Sequence, residues 1–191
     1  TTPCHGECLV PTNVFLGIPI PQDVTDEIAE IQSFLEQETR GQGVKWINPK
    51  LYHITLSYLG SINFYDIPVV SERIRWATET YDYPYIAFSE ICIYRHPHDP
   101  RVVHLGIDQN ESQGLMAFQD YLSNALMSGG FLTERTAPFV PHITLGRVRK
   151  EITTENSQLL AEAIKKINVE AITAFTAENI YVYESVYREY I

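Results

Sequence analysis

Apolar and polar positions follow two rhythms along this chain, and the switches between them mark its elements. VFLGIPIP (Val14 to Pro21) reads as extended, and after it Val24, Ile28, Ile31 and Leu35 recur at the spacing of one helical face. Asp23 is placed to cap that helix, and Gly41 and Gly43 to end it. LYHITLSYL (Leu51 to Leu59) predicts a strand, and Asp66 to Thr80 a second helix with Pro68 in its first turn. YIAFSEICIY (Tyr85 to Tyr94) and VVHLGI (Val102 to Ile107) predict two strands around an HPHDP turn. A third helix is predicted over Glu111 to Met127, stopped by Gly129 and Gly130, and FVPHITLGRV is the next strand. A fourth helix, about Glu155 to Lys166, precedes two or three closing strands between Ala171 and Ile191. Strand runs broken by single helices predict an α+β fold with largely antiparallel sheet.

The tetrapeptide HITL occurs twice, at His53 to Leu56 and at His142 to Leu145. A repeated tetrapeptide alone carries little weight. LGI is also repeated, however, at Leu16 to Ile18 and Leu105 to Ile107, and both repeats are displaced by the same 89 residues. At that displacement Gly41 meets Gly130, Pro49 meets Pro138 and Leu51 meets Val140. The helical apolar phases between these landmarks do not match, as expected where only packing is required. The pattern predicts a duplicated strand, helix, strand unit, approximately 14–60 and 103–149, inside one bilobal domain spanning 1–191. A pseudo-two-fold axis would then make the two HITL strands equivalent.

On a strand, His53 and Thr55 point to one face while Ile54 and Leu56 point to the other, and His142, Thr144, Ile143 and Leu145 do the same. Each strand can pack its aliphatic face into a core and present an imidazole and a hydroxyl opposite. A lone histidine of this kind is usually structural. The fixed displacement, with Thr on the same face each time, points instead to a shared cleft. Two imidazoles with ordinary pKa near 6.5 suit a reaction that takes one proton and gives another near neutral pH. Strand symmetry does not say which is acid and which is base.

Charge narrows the substrate. Fourteen basic and 24 acidic residues leave a net charge of -10, which argues against nonspecific grip on long nucleic acid and permits a short or terminal one. Residues 1 to 44 hold seven acids and only Arg40 as a base, whereas 45 to 60 hold Lys45 and Lys50 with no acid, and Arg135, Arg147, Arg149 and Lys150 outnumber Glu134 around the second HITL. Both motifs thus lie in positive stretches of an acidic chain. Three cysteines, an odd count, and no apolar run approaching ~20 residues fit a cytoplasmic protein, expected to be a monomer. HPHD (His96 to Asp99) has metal-ligand residues but no further ligand set in register and reads as a surface loop, and no second ligand pair follows CHGEC (Cys4 to Cys8). There is no glycine-rich phosphate cradle.

On these residues the chain resembles the two-histidine (2H) phosphoesterases, defined by a pair of H-x-T-x motifs. Within them it is most similar to the bacterial and archaeal RNA 2',3'-cyclic phosphodiesterases, the 2'-5' RNA ligase family. The resemblance runs through FLGIPIP, KWINPKLYHITLSYLG, PRVVHLGI, FVPHITLGRVR and NIYVYESV, and departs at His104, where the family often has an aromatic. It implies a bilobal fold of two pseudo-symmetric antiparallel lobes with outer helices, a central cleft, and no metal or other cofactor. It implies that His53 donates a proton and His142 accepts one, with Thr55, Thr144 and Arg147 holding phosphate. The implied reaction is hydrolysis of RNA 2',3'-cyclic phosphate ends to a 2'-phosphate, with reversible 2'-5' ligation as an extension. Strict alternation from His142 puts Arg147 on the wrong face, so it reaches the cleft only through a bulge or strand end. Trp46, Tyr58 and Phe139 are candidates for stacking a base, with core packing as the competing role. Alternative readings are a 2H enzyme for 2'-5' oligonucleotides or small cyclic nucleotides, and a non-catalytic module that binds phosphorylated RNA ends.

Overall fold

The alternating segments form strands and the helical-face segments form helices in a computed structural model that describes residues 12–96, 99–131 and 138–185. In chain order they are β1 (Thr12–Pro19), α1 (Gln22–Glu38), β2 (Val44–Trp46), β3 (His53–Ile62), α2 (Ile67–Thr80), β4 (Tyr85–Ile86), β5 (Phe88–His96), β6 (Asp99–Ile107), α3 (Gln113–Ser128), β7 (His142–Val148), α4 (Thr154–Ile164), β8 (Phe175–Thr176) and β9 (Tyr181–Glu184). Cys4 to Cys8, Pro97, His98, Glu134, Arg135 and the chain after Ser185 lie outside the described residues.

Three local expectations change. Asp23 sits in the first turn of α1 rather than at its cap, because Pro21 precedes the helix and its carbonyl accepts the Thr25 N–H at 2.8 Å. The run Tyr85 to Tyr94 is two strands, since Ala87 turns its N–H to the Ser112 hydroxyl (3.0 Å) and its carbonyl to the Asp108 N–H (2.9 Å). The three residues of β2 are too few to show an alternation in sequence.

The strands build a seven-stranded antiparallel sheet in the order β5-β6-β7-β3-β1-β9, with β2 also paired to β7, beside a small β4-β8 pair. The two HITL strands, β3 and β7, pair at Ile54 opposite Ile143, and β2 pairs with β7 farther along. These isoleucines occupy the same position of the repeat, 89 residues apart, and both are 0 % exposed. Leu16, Leu56, Leu105 and Leu145 join them against Ile28 and Leu35 of α1 and Phe118, Leu122 and Leu126 of α3 in one core. That core fixes which face of each HITL strand is apolar, and so leaves the histidine face outside it. Beyond α1 and α3, Gly41 (φ 67°) and Gly130 (φ 78°) take the left-handed conformation at equivalent places, where a side chain would be strained.

Each HITL strand carries a bulge at its leucine. Leu56 has no partner between Thr55 (opposite Gly17) and Ser57 (opposite Leu16), and Leu145 has none between Thr144 (opposite His104) and Gly146 (opposite Val103). A bulge leaves a backbone group off the ladder, and both carbonyls are satisfied from outside it. Gln119 Nε2 of α3 donates to the Leu56 carbonyl at 3.1 Å, and the Ile47 N–H to that of Leu145 at 2.8 Å. The repeat is not perfect: Gly17 faces Thr55, whereas Gly106, its counterpart, faces His142 rather than Thr144. The slip is an even number of residues and therefore preserves the faces.

Gln119 is 7 % exposed and also donates to Ser123 Oγ at 2.9 Å. Replacing it with Ala strands the Leu56 carbonyl, so Gln119→Ala is expected to lower unfolding free energy by about 1–3 kcal/mol in urea melts; an unchanged midpoint would count against the bulge account.

Candidate active site

The two HITL histidines are anchored in the same way. His53 Nδ1–H donates to the Leu51 carbonyl at 2.7 Å, and His142 Nδ1–H to the Val140 carbonyl at 2.8 Å, each two residues back. In both rings the bond assigns the proton of the neutral form to Nδ1 and leaves Nε2 as the atom that gains or loses one. Thr55 and Thr144 follow on the same faces, half-buried like the histidines, while the residues between them are buried.

The bulges decide what comes next on those faces. An extra residue reverses the alternation, so Tyr58 and Arg147, which strict alternation would send to the core side, turn out beside the histidines. The order of burial along HITLSYL and HITLGRV is identical, and Tyr58 and Arg147 are both exposed in it. Arg147 pairs directly with Lys45 of β2, which puts a second cation on its face. The structure therefore brings His53, Thr55, His142, Thr144 and Arg147 to one side of the sheet. Trp46 goes elsewhere: it faces Gly146 from β2, so close that a Cβ on that glycine would lie 2.9 Å from Trp46 Cε3. Phe139 is half-buried against the core.

The two walls differ in chemistry. Beside His53, Phe15 lies 4.9 Å away between ring centroids and Tyr183 5.1 Å away, and Phe15 and Tyr183 stack on each other at 5.0 Å and 9°. Tyr58 adds a further ring at 5.6 Å from Phe15. Gly17 makes room for this cluster, since a Cβ there would come within 3.1 Å of Tyr183 Cε2 and 3.4 Å of His53 Cδ2. Beside His142 stands His104 instead, 5.1 Å away at 60°. Phe15 and His104 are 89 residues apart and so are counterparts, which a position-by-position comparison of the two halves could have exposed. Tyr183 has no such signal, because β9 lies outside the repeated unit.

Burial among these rings pushes the His53 pKa below its ordinary 6.5, and the charge of His142 pushes the same way, against the Leu51 carbonyl that favours the protonated ring. Burial, and then Tyr181, push the Tyr183 phenol up.

A sheet that presents an H-x-T face from each half of the chain is the architecture of the two-histidine phosphoesterases. The family model for LigT like Phosphoesterase matches residues 18–104 and again 105–189, and the chain belongs to that family. It is 29% identical to the RNA 2',3'-cyclic phosphodiesterase of Bacillus subtilis over 133 residues, 70% of this chain and 69% of that one. It is 30% identical to the protein of the same name from Thermotoga maritima over 137 residues, 71% of this chain and 69% of the relative. The fold is shared with E. coli LigT, solved in complex with 3'-AMP, at a TM-score of 0.67 and 18% identity over 94% of this chain and 91% of LigT.

The depressed His53 pKa has a stability signature. A ring that is less basic folded than unfolded binds more protons in the unfolded state, so its contribution is complete above 6.5 and is lost as pH falls through the lower folded value. Unfolding free energy is expected to decline between pH 7 and 5, above the range where carboxylates begin to titrate, and His53→Gln to flatten part of that slope in pH-dependent urea melts.

Proposed function

We propose that this protein hydrolyses RNA 2',3'-cyclic phosphate ends to 2'-phosphates, with His53 and His142 as the proton carriers. The activity for which its relatives are named fits this site. The observation that carries the reading is the pair of equivalently anchored imidazoles, each with Nδ1 held by a carbonyl and Nε2 free to exchange a proton. His142 Nε2 takes a proton from water as the water oxygen bonds to phosphorus. The bond from phosphorus to O3' breaks, and O3' takes a proton from His53 Nε2. His142 ends protonated and His53 neutral, and exchange with solvent resets both.

The unlike walls support this direction. The aromatic wall of Phe15, Tyr58 and Tyr183 suits stacking of the terminal base. The ribose, and with it the departing O3', then lies beside His53. Water must enter on the far side of phosphorus, in line with that oxygen, and this is the side of His142. Thr55, Thr144 and the Lys45–Arg147 pair serve the non-bridging phosphoryl oxygens. The basic pair gives a strongly acidic chain a local place for one terminal phosphate.

Hydrolysis of a nucleoside 2',3'-cyclic phosphate in the presence of a chelator tests the reading. We expect turnover that survives the chelator, a nucleoside 2'-phosphate product, and losses of about 10²- to 10⁴-fold in His53→Ala and His142→Ala. Parent-level activity in either variant, or binding without turnover in the parent, would overturn it. A second prediction concerns pH. Activity needs one imidazole protonated and the other neutral, so kcat/KM is expected to fall on both sides of a maximum, with limbs that belong to the histidine pair of the free protein. A bound phosphate anion favours the imidazolium, and the alkaline limb of kcat is therefore expected at higher pH than that of kcat/KM.

A further inference from the structure

Two equivalent positions back the two proton-carrying rings, and they are filled differently. Phe15 packs on His53 at 4.9 Å and 35°, and His104 packs on His142 at 5.1 Å and 60°. His104 stands on β6 directly opposite Thr144, so it shares the face of the site. Its ring is held by the carbonyl of Val102, two residues back, in the same relation as His53 to Leu51 and His142 to Val140. The second half of the cleft thus contains two imidazoles built alike, one beside the other, where the first half has an imidazole beside a phenyl ring.

We propose that His104 is the positioning residue of His142 and that a proton on His104 switches the base off. This rests on the role given to His142 above. A ring in edge contact limits the orientations open to His142 and aims its Nε2. A cation on that neighbour opposes the positive charge that His142 takes up when it deprotonates water, since like charges within about 4–6 Å disfavour each other. Phe15 packs on His53 at a similar distance but a shallower angle and cannot carry charge, so only the base side has the switch.

The groups facing His104 set when it acts. From β7 they are His142 and Thr144, and from β5 they are Cys92, directly opposite, with Glu90 and Tyr94, the last at 6.2 Å between rings. Burial and the charge of His142 hold the His104 pKa below 6.5, against the Val102 carbonyl and Glu90, which favour the proton. The switch is therefore open near neutral pH and closes on acidification.

Kinetics and NMR of His104 variants test this. In the parent, the acid limb of log kcat/KM is expected to approach a slope of two, one proton for the base and one for the switch, and in His104→Phe a slope of one. His104→Ala is expected to lower kcat by roughly ten- to a hundred-fold with little change in KM, and His104→Phe, which restores a ring, to recover most of that loss. Independently of activity, the His104 imidazole followed by NMR should titrate at higher pH in His142→Ala, because the charge that depresses it is gone. An unchanged His104 titration in that variant, an unchanged acid-limb slope in His104→Phe, or a His104→Ala protein with parental kcat would each overturn the proposal. If His53→Ala and His142→Ala stay fully active, the acid–base reading itself fails, whatever the NMR titration shows.

Discussion

The two HITL strands meet where Ile54 packs against Ile143, and the site is arranged around that contact. Both side chains are fully buried, so the core holds each of them to a single face. In a strand the neighbours of a buried residue must point the other way. His53 and Thr55 therefore flank Ile54, and His142 and Thr144 flank Ile143, on the opposite face. Antiparallel pairing at a pseudo-symmetric point sets the two histidines on either side of that point. Apolar packing thus fixes the placement of groups that are themselves polar and only half-buried, and a slip of one residue would send all four to the core.

The bulges extend this logic past the motif. Without the extra residue at Leu56 and Leu145, the positions of Tyr58 and Arg147 would fall on the core side, where an arginine is costly to bury. With it, each lies exposed on the histidine face. The ladder bond lost at each bulge is replaced by Gln119 at Leu56 and by the Ile47 N–H at Leu145. The replacements come from unrelated parts of the chain, which shows that the bulge, rather than the way its carbonyl is satisfied, is what the two halves share.

The strands and helices, and the common face of the four H-x-T residues, were legible in the sequence because each rests on a short-range period: alternation for the strands, a helical face for the helices, and one fixed displacement between the motifs. Arg147 was only half legible. Alternation gave it the wrong face, and the bulge that corrects it depends on pairing with β6, which a single strand does not encode. His104, Phe15 and Tyr183 lie on strands beside the motif rather than in it, so their contacts depend on register. The repeat held the signal for Phe15 and His104, since both sit one residue before a landmark LGI. β2 was too short to have a rhythm at all.

A symmetric pair of imidazoles has no direction, whereas the proposed chemistry asks one ring to give a proton and the other to take one. The repeat builds the two rings alike down to the carbonyl that anchors each Nδ1, so the difference has to come from their neighbours. It is found at equivalent positions: Phe15 against His104 and Tyr58 against Arg147. One wall is aromatic, and the other carries cations and a second imidazole. A duplicated unit can keep its core and its motif under the same packing constraint in both halves, and still acquire a direction by changing a few side chains on the cleft face, because those positions carry no part of the core.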